Sequence, residues 1–282
     1  MSDIIAKLMN IDRRILYWVL FIGLAVPYLR PIGLPISVSP TTQAAYDRIQ
    51  GLKPGDTVVI SMNMGVGSWS EIMPGLVAST KQILRNGANI IVIGNQVDVL
   101  MSWNKLKAGV PELSTVTYGE RVLYLGYFTG GETAVSQIAS DMRSVFPTDY
   151  DQRKPLSEFP LTQRVNKATD VQLVITCDSG DGGAYFIKQW GVMYNVPVVE
   201  IGIGVLGSEL IAYYNAGSLK GLSVGARGGA ELEKLTGIPG EATLTMDGIN
   251  VSHLLVIAAV VAANLGYLAT KKENGGPKLV PK

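Results

Sequence analysis

Histidine and cysteine are nearly absent from this chain of 282 residues, which contains one of each. Because the single His253 stands in an apolar segment near the C-terminus, no catalytic triad that uses histidine can form in the middle of the chain. A zinc or iron centre with histidine ligands is excluded there for the same reason. The lone Cys177 rules out a disulfide within the chain and leaves the redox compartment open.

An excess of charge of either sign is also lacking, since 24 Lys and Arg residues stand against 23 Asp and Glu residues. No block of basic residues is interleaved with aromatics, so we expect no nucleic-acid partner. The chain has no phosphate-loop lysine motif, and no strict G-x-G-x-x-G follows the first predicted strand. The sequence therefore predicts no cofactor and identifies no catalytic residue.

Apolar residues, in contrast, are abundant, and two uncharged runs of them lie near the ends of the chain at 15–29 and 249–270. The second run is long enough to span a bilayer, whereas the first is short and contains Pro27. A cleaved signal peptide is the alternative for the first run, but no small-residue cleavage site follows Leu29. We therefore expect two transmembrane helices, of which the first is an uncleaved signal anchor, and the lipid bilayer as a partner.

Basic residues at the outer ends of the two runs predict the orientation. Because Lys and Arg are enriched on the cytoplasmic side, both termini should be cytoplasmic and the intervening domain extracytoplasmic, at the cytoplasmic membrane. The predicted divisions are a tail and anchor at 1–36, an α/β domain at 37–248, a transmembrane helix at 249–270 and a cytoplasmic tail at 271–282. The basic residues concerned are Lys7, Arg13, Arg14, Lys271, Lys272 and Lys278.

Short runs rich in Val and Ile alternate with helix-period segments between the two apolar ends. Runs that are apolar at every position are typical of parallel strands covered on both faces. The pattern predicts a Rossmann-like, doubly wound, mainly parallel five-stranded sheet. The proline-rich stretch at 147–170 predicts a surface excursion that packs on a neighbour or over the sheet edge. The predicted strands are 57–63, 89–94, 121–128, 171–177 and 197–204, and the predicted helices are 72–86, 97–107, 132–146, 184–194 and 208–215.

Four of these strands end in glycine-rich turns, which gather at the carboxyl edge of a doubly wound sheet. Ligands bind at that edge, where helix N-termini offer unpaired N–H groups to anions. Tight turns and close helix packing would explain the same glycines without a ligand. The ligand-binding candidates are Gly65, Gly67, Gly130, Gly131, Asp178, Gly180, Asp181, Gly182, Gly183 and Gly204.

The acids among these candidates leave three alternatives open. Asp178 and Asp181 lie in one loop and could hold a divalent cation, but too few further oxygen ligands follow in sequence, so no metal site is predicted. Asp178 could instead cap the next helix. It could also form a carboxylate pair with Glu200 or Glu209, although spacing alone does not show that these residues converge. Cys177, at the end of an apolar run, is expected to be a buried small residue.

A second set of glycines recurs every fourth residue in the stretch GSLKGLSVGARGG. On a helix this spacing places the glycines on one face, where another backbone can approach closely. We expect a helix that assembles with a second subunit or packs on a membrane-proximal part of the chain, with an interrupted loop as the alternative. Arg227 and Glu231 are spaced to pair along such a helix. The assembly candidates are Gly217, Gly221, Gly225 and Gly229.

Several stretches resemble an uncharacterised family of prokaryotic membrane-anchored α/β proteins. They are PIGLPISVSPTTQAAYD, GYFTGGETAV, SVFPTDYDQ and the run from YYNAGSLKG to TLTMDG. The similarity covers nearly the whole chain and implies a shared architecture without an activity. This chain departs from the family pattern at Gly229, where the family has alanine.

The leading hypothesis is a membrane-anchored, non-catalytic α/β module that assembles into a homo- or hetero-oligomeric membrane complex. One alternative is a small-molecule binding or sensory domain that uses the glycine-rich strand ends. Another is a carboxylate-dependent hydrolase or transferase. The missing histidines favour a protein that is not an enzyme, and the sequence names no ligand.

Overall fold

The computed structural model describes residues 12–30 and 32–274, with side chains up to residue 268. The chain divides into two compact units. The sheet unit is Ile36–Thr243, and the helical unit combines the segments on either side, Met1–Pro35 and Leu244–Lys282, so far as they are described. Lys7 and Lys278, which contributed to the predicted orientation, lie outside the described residues, so the orientation stays a prediction.

The sheet unit is built on six parallel strands in the order β3-β2-β1-β4-β5-β6. The direction of strand progression reverses between β1 and β4, as in Rossmann-like sheets. The prediction of a parallel α/β sheet is therefore confirmed, but its strand number of five is wrong. The strands are β1 Thr57–Asn63, β2 Asn89–Gly94, β3 Val122–Tyr127, β4 Leu173–Asp178, β5 Val198–Gly202 and β6 Gly221–Val224.

Helices connect the strands and cover both faces of the sheet. Val58 and Ile60 belong to one buried apolar cluster and Val59 to the other, because successive side chains of a strand point to opposite faces. The helices are α1 Arg13–Leu29, α2 Pro40–Gln50, α3 Trp69–Arg85, α4 Val99–Gly109, α5 Gly131–Ser140, α6 Met142–Val145, α7 Pro160–Arg164, α8 Gly182–Phe186, α9 Gly207–Asn215, α10 Gly225–Thr236 and α11 Glu241–Asn274. A π-helical segment, Ile187–Val192, continues α8.

The sixth strand overturns the predicted glycine-striped helix. Gly217 has φ +73° and Gly225 has φ +62°, values that no residue inside a right-handed helix adopts. Gly221 lies on β6, where an added Cβ would stand 2.6 Å from the backbone nitrogen of Ala45 in α2. Gly229 alone of the four lies in the interior of a helix, α10, where it packs against Gly75 of α3. The four regularly spaced glycines thus lie in a turn, in a strand, at a helix start and in a helix interior.

Part of the same stretch does form a helix as expected. Within α10, the Nε of Arg227 lies 3.0 Å from Oε1 of Glu231, the predicted pair one turn apart. The carboxylate of Glu231 also accepts hydrogen bonds from the amide and hydroxyl of Ser39, which caps α2. The last helix of the sheet unit is therefore fixed to the first one by polar contacts.

The proline-rich excursion at 147–170 lies along the edge strand β3. The amide of Tyr150 donates to the carbonyl of Tyr124 at 3.0 Å, and the amide of Leu161 donates to the carbonyl of Gly119 at 3.0 Å. The opposite edge strand, β6, is covered by α2, in which the Thr42 hydroxyl donates to the carbonyl of Leu222. Both edges are thereby protected from pairing with another strand.

In the helical unit, α1 and the following chain contact α11. An added Cβ on Gly23 would stand 2.7 Å from Cδ1 of Leu255, so this glycine permits a close approach. Asp247 is fully buried, and its carboxylate accepts hydrogen bonds of 2.8 to 2.9 Å from the amides of residues 32, 33 and 34. One carboxylate therefore fixes the end of the α1 segment to α11.

Among the described residues, one helix is long and apolar enough to cross a membrane, at Glu241–Leu268. It begins eight residues before the predicted span at 249. Helix α1 has 17 residues, one fewer than the 18 taken as the minimum for a membrane span. The structure therefore does not support the predicted N-terminal transmembrane helix.

Candidate functional site

The glycine-rich turns that follow β1, β3, β4 and β5 all lie at the carboxyl edge of the sheet. The turns after β1 and β4 meet where the strand order reverses. The amide of Ser179 donates to the carbonyl of Asn63 at 3.3 Å, and the amide of Gly65 reaches the Ser179 hydroxyl at 3.4 Å. Gly130 and Gly131 follow the edge strand β3 and start α5, so they lie away from this junction.

A layer of buried polar side chains lies beneath these turns, on three adjacent strands: Asn63 ends β1, Asp178 ends β4, and Glu200 lies in the middle of β5. Asn63 accepts from the Ser61 hydroxyl at 2.9 Å and from the Asn95 amide at 3.2 Å. Asn63 pairs in register with Asp178 across β1 and β4. The structure thus brings together two of the predicted carboxylates and one amide that sequence reasoning missed.

Asp178 caps the turn and the helix that follow its own strand. One carboxylate oxygen accepts from the Gly180 amide at 2.6 Å, and the other accepts from the Gly183 amide. This is the capping role that the sequence left as one alternative, and a carboxylate is favoured at a helix N-terminus. Burial raises the pKa of Asp178 to about 6, and the two glycine amides oppose that shift.

Glu200 is fully buried and is held by the hydroxyl of Thr176, which donates to Oε2. Burial, followed by the charge of Asp178, raises the pKa of Glu200 well above its ordinary value, because both favour the neutral carboxyl group. Glu209, the other predicted partner, lies exposed on α9, and its charge also raises the pKa of Glu200, by less than that of Asp178 does. Of the two predicted partners of Asp178, Glu200 therefore lies buried in the neighbouring strand β5, whereas Glu209 lies exposed on α9.

Two atoms of the polar layer have no hydrogen-bond partner in the described part of the chain: Nδ2 of Asn63 and Oε1 of Glu200. Gly182 and Gly183 cover them closely. A Cβ on Gly182 would stand 2.7 Å from that Asn63 nitrogen, and a Cβ on Gly183 would collide with the Glu200 carboxyl group. These two glycines are therefore required where the helix start crosses the polar layer.

At three of the four turns, carboxylates of the chain itself accept hydrogen bonds from the backbone N–H groups. Besides Asp178, Asp98 accepts from the Val66 amide at 3.2 Å, and Glu71 accepts from the Gly204 amide at 2.7 Å. A bound phosphate would compete with these acids for the same donors and would meet their negative charge. This arrangement therefore disfavours the prediction that the turns at the strand ends bind an anionic ligand.

The tips of the edge are apolar and acidic. Val97 is 79% exposed and Val205 is 80% exposed, on the turns after β2 and β5. Asp181 and Glu209 are exposed nearby along the edge, and the turns at 64–71, 95–98, 128–132, 179–183 and 203–209 contain no lysine or arginine. These turns therefore present apolar and acidic side chains and no basic ones.

No cluster of three His, Cys, Asp or Glu residues suited to a metal ion occurs within the described ranges. Cys177 is buried as expected, and burial raises the pKa of its thiol. His253 lies in α11. Sequence reasoning missed Asn63, Glu71 and Asp98, of which Asn63 could have been noticed as a polar residue that ends an apolar strand.

No family model, no curated protein and no solved structure matches this chain.

Proposed function

We propose that the protein is a membrane-anchored, non-catalytic α/β module that assembles with itself or with another membrane subunit. The outward apolar surface of α11 is the observation that carries the proposal. Only 6% of an apolar stretch of 18 residues in this helix is buried within the protein. Leu254 and Leu265 in the helix are 61% and 60% exposed. In water this surface would be unfavourable by about 25 cal/mol per Å², whereas lipid covers it without that cost.

We propose in addition that α1, although it is shorter than a full membrane span, inserts beside α11 as the second part of the anchor. Its large apolar side chains are also exposed, with Phe21 at 62% and Trp18 at 63%. The Asp247 contacts satisfy three amides just beyond α1, where the chain leaves the helix. Satisfied backbone groups at that point suit a chain that emerges from the apolar part of a bilayer. If both termini are cytoplasmic, as the basic flanks predict, the sheet unit lies outside the cytoplasm.

The geometry of the polar layer favours a module that is not an enzyme. Asp178 is used to cap a helix, and Gly182 and Gly183 cover the Asn63 and Glu200 groups. A catalytic acid or base must be within reach of its substrate, and this layer is closed by backbone. The resemblance to an uncharacterised membrane-anchored family agrees with the proposal and supplies no reaction.

Membrane integration and assembly are tested separately. Alkaline carbonate extraction of membranes should leave the full-length chain in the pellet, and release into the supernatant would overturn the anchor. Light scattering of the detergent-solubilised protein should then give the mass of an oligomer. A strictly monomeric protein that also retains no other membrane subunit on mild solubilisation would contradict the assembly part of the proposal.

Ligand binding at the strand-end edge is the second candidate, and the acidic and apolar edge without basic residues favours it. The ligand would be an apolar amine, and its ammonium group would be drawn to Asp181 and Glu209. Alkylamines of increasing chain length should raise the melting temperature of the wild type and have less effect on an Asp181→Asn, Glu209→Gln variant. An equal response of the two proteins would exclude this site.

A further inference from the structure

A cavity of about 410 Å³ lies on the sheet unit away from the strand-end edge. One wall is α3, which contributes Met73, Val77 and Ala78, and a second wall is the end of α4 with Ala108. The third wall is the turn between α10 and α11, with Ile238 and Pro239. The volume is within the range of small-molecule sites, and the walls are largely apolar.

Glu233 holds the third wall in place. This residue is 2% exposed, and its carboxylate accepts from the amides of Gly240, Ala242 and Thr243 and from the Thr243 hydroxyl. Four donors therefore hold this carboxyl group in place, although the residue lines the cavity. The wall is a fixed part of the fold, and the cavity does not depend on an unconstrained loop.

Two lysines line the same cavity, Lys81 on α3 and Lys105 on α4. The Lys105 ammonium group lies 3.5 Å from the Glu241 carboxylate, and the two side chains are 40% and 70% exposed. An exposed ion pair is weak, so an anion with better geometry can replace the Glu241 carboxylate. An apolar surface beside two lysines matches a molecule that has both an acyl chain and an anionic head.

We infer that the cavity binds an amphiphile with an anionic head group, in which the acyl chain contacts the α3 wall and the head group binds Lys81 and Lys105. The source would be an anionic phospholipid or a free fatty acid, since both have this chemistry. Glu241, which lines the cavity, is also the first residue of the apolar helix, so the phospholipid source rests on the proposed membrane anchor. A lipid bound there would lie next in sequence to the segment that inserts.

The test is native mass spectrometry of the full-length protein in detergent, titrated with dioleoylphosphatidylglycerol, dioleoylphosphatidylcholine or oleate. We expect one molecule of phosphatidylglycerol or oleate to bind at least fivefold more tightly than phosphatidylcholine. Preference for phosphatidylglycerol identifies the bilayer as the source, and preference for oleate identifies a free fatty acid. Equal binding of all three lipids would overturn the inference.

Variants of the charged residues should act in opposite directions. Lys81→Gln with Lys105→Gln should weaken binding of the anionic amphiphile about tenfold, as expected for lost hydrogen bonds to a charged group. Glu241→Gln should strengthen it, because Lys105 loses its competitor. The matched control is Lys53→Gln with Lys154→Gln, two exposed lysines outside the cavity, which should bind as the wild type does. Equal losses in both lysine pairs would indicate general charge attraction and refute the site.

A bulky substitution tests the cavity itself. Ala108 is exposed at the rim, so Ala108→Trp should fold normally, which circular dichroism can check, and should abolish the tight site. Unchanged binding in the folded variant would refute the cavity as the site. Carbonate extraction of the same variants separates the two proposals, because a protein that fails to integrate into membranes can still be tested with oleate.

Discussion

The two units of this protein contain similar apolar residues in opposite surroundings. In the sheet unit, Val92 and Ile60 are 0% exposed, whereas in the helical unit Val256 and Ile257 are 55% and 58% exposed. Helices on both sides of the sheet cover the first pair, and no part of the described chain covers the second pair to the same extent. Hydrophobicity alone therefore does not show whether protein or lipid surrounds a side chain, and the comparison gives a direct test of the proposed anchor.

The largest expected effect comes from the same substitution made in each unit. Val92→Arg places a charge in the closed core and should cost more than about 4 kcal/mol, so that the sheet unit does not fold. Val256→Arg should leave that unit folded but should lower membrane insertion by about 2.5 to 3.5 kcal/mol. Protease resistance reports the first effect, and carbonate extraction reports the second.

Val256→Leu is the control for insertion and should behave as the wild type. If Val256→Arg left insertion unchanged, the exposed surface of α11 would not face lipid. If it instead unfolded the sheet unit, the contrast between the two units would fail.

The next largest loss of stability should come from substituting a glycine of the sheet unit. Gly221→Leu would drive its side chain into the backbone of α2 at Ala45 and should cost about 3 kcal/mol in the free energy of unfolding. Gly217→Asn is the control, because no atom lies within 4 Å of an added Cβ there and asparagine tolerates positive φ. Denaturant unfolding of the full-length protein in detergent measures both, and equal stabilities would contradict the close approach of β6 to α2.

The buried carboxyl group of Asp178 should make the sheet unit sensitive to pH. Its pKa in the folded protein is about 6, above the ordinary value of 3.8, so the folded state binds more protons between these values. Stability should therefore fall as pH rises from 4 to 7, by at most about 3 kcal/mol from this group. Asp178→Asn should show a shallower fall in unfolding experiments across that range, and an unchanged slope would exclude Asp178 as the cause.

The smallest expected effect is in the helical unit. Asp247→Ala removes the acceptor of three backbone hydrogen bonds and should weaken the contact between α1 and α11 by about 2 kcal/mol. A short thiol cross-linker between Tyr28→Cys and Gly248→Cys reports the contact, since an added Cβ at 248 would stand 3.6 Å from the Tyr28 ring. Asp247→Asn keeps one acceptor and should have an intermediate yield. Equal yields in all three proteins would show that the carboxylate does not hold the helices together.

The sequence by itself determined the parts of the fold that local patterns encode. Apolar runs bounded by turns predicted five of the six strands, because a strand covered on both faces needs apolar side chains at every position. The run at 249–270 predicted the candidate membrane span. The single histidine excluded histidine-based chemistry in the sheet unit. Glycine-rich segments after the predicted strands predicted the turns at the carboxyl edge of the sheet.

Only the tertiary structure decided why each glycine is present. Glycine serves left-handed backbone, as at Gly225, and close approach, as at Gly221, and both uses look the same in a sequence. The convergence of Asn63, Asp178 and Glu200 also depends on which strands are neighbours, and their spacing along the chain does not give that. For the same reason the carboxylates that occupy the strand-end amides were not predicted: contacts such as that of Glu71 with the Gly204 amide join residues far apart in sequence, and only the folded chain brings them together.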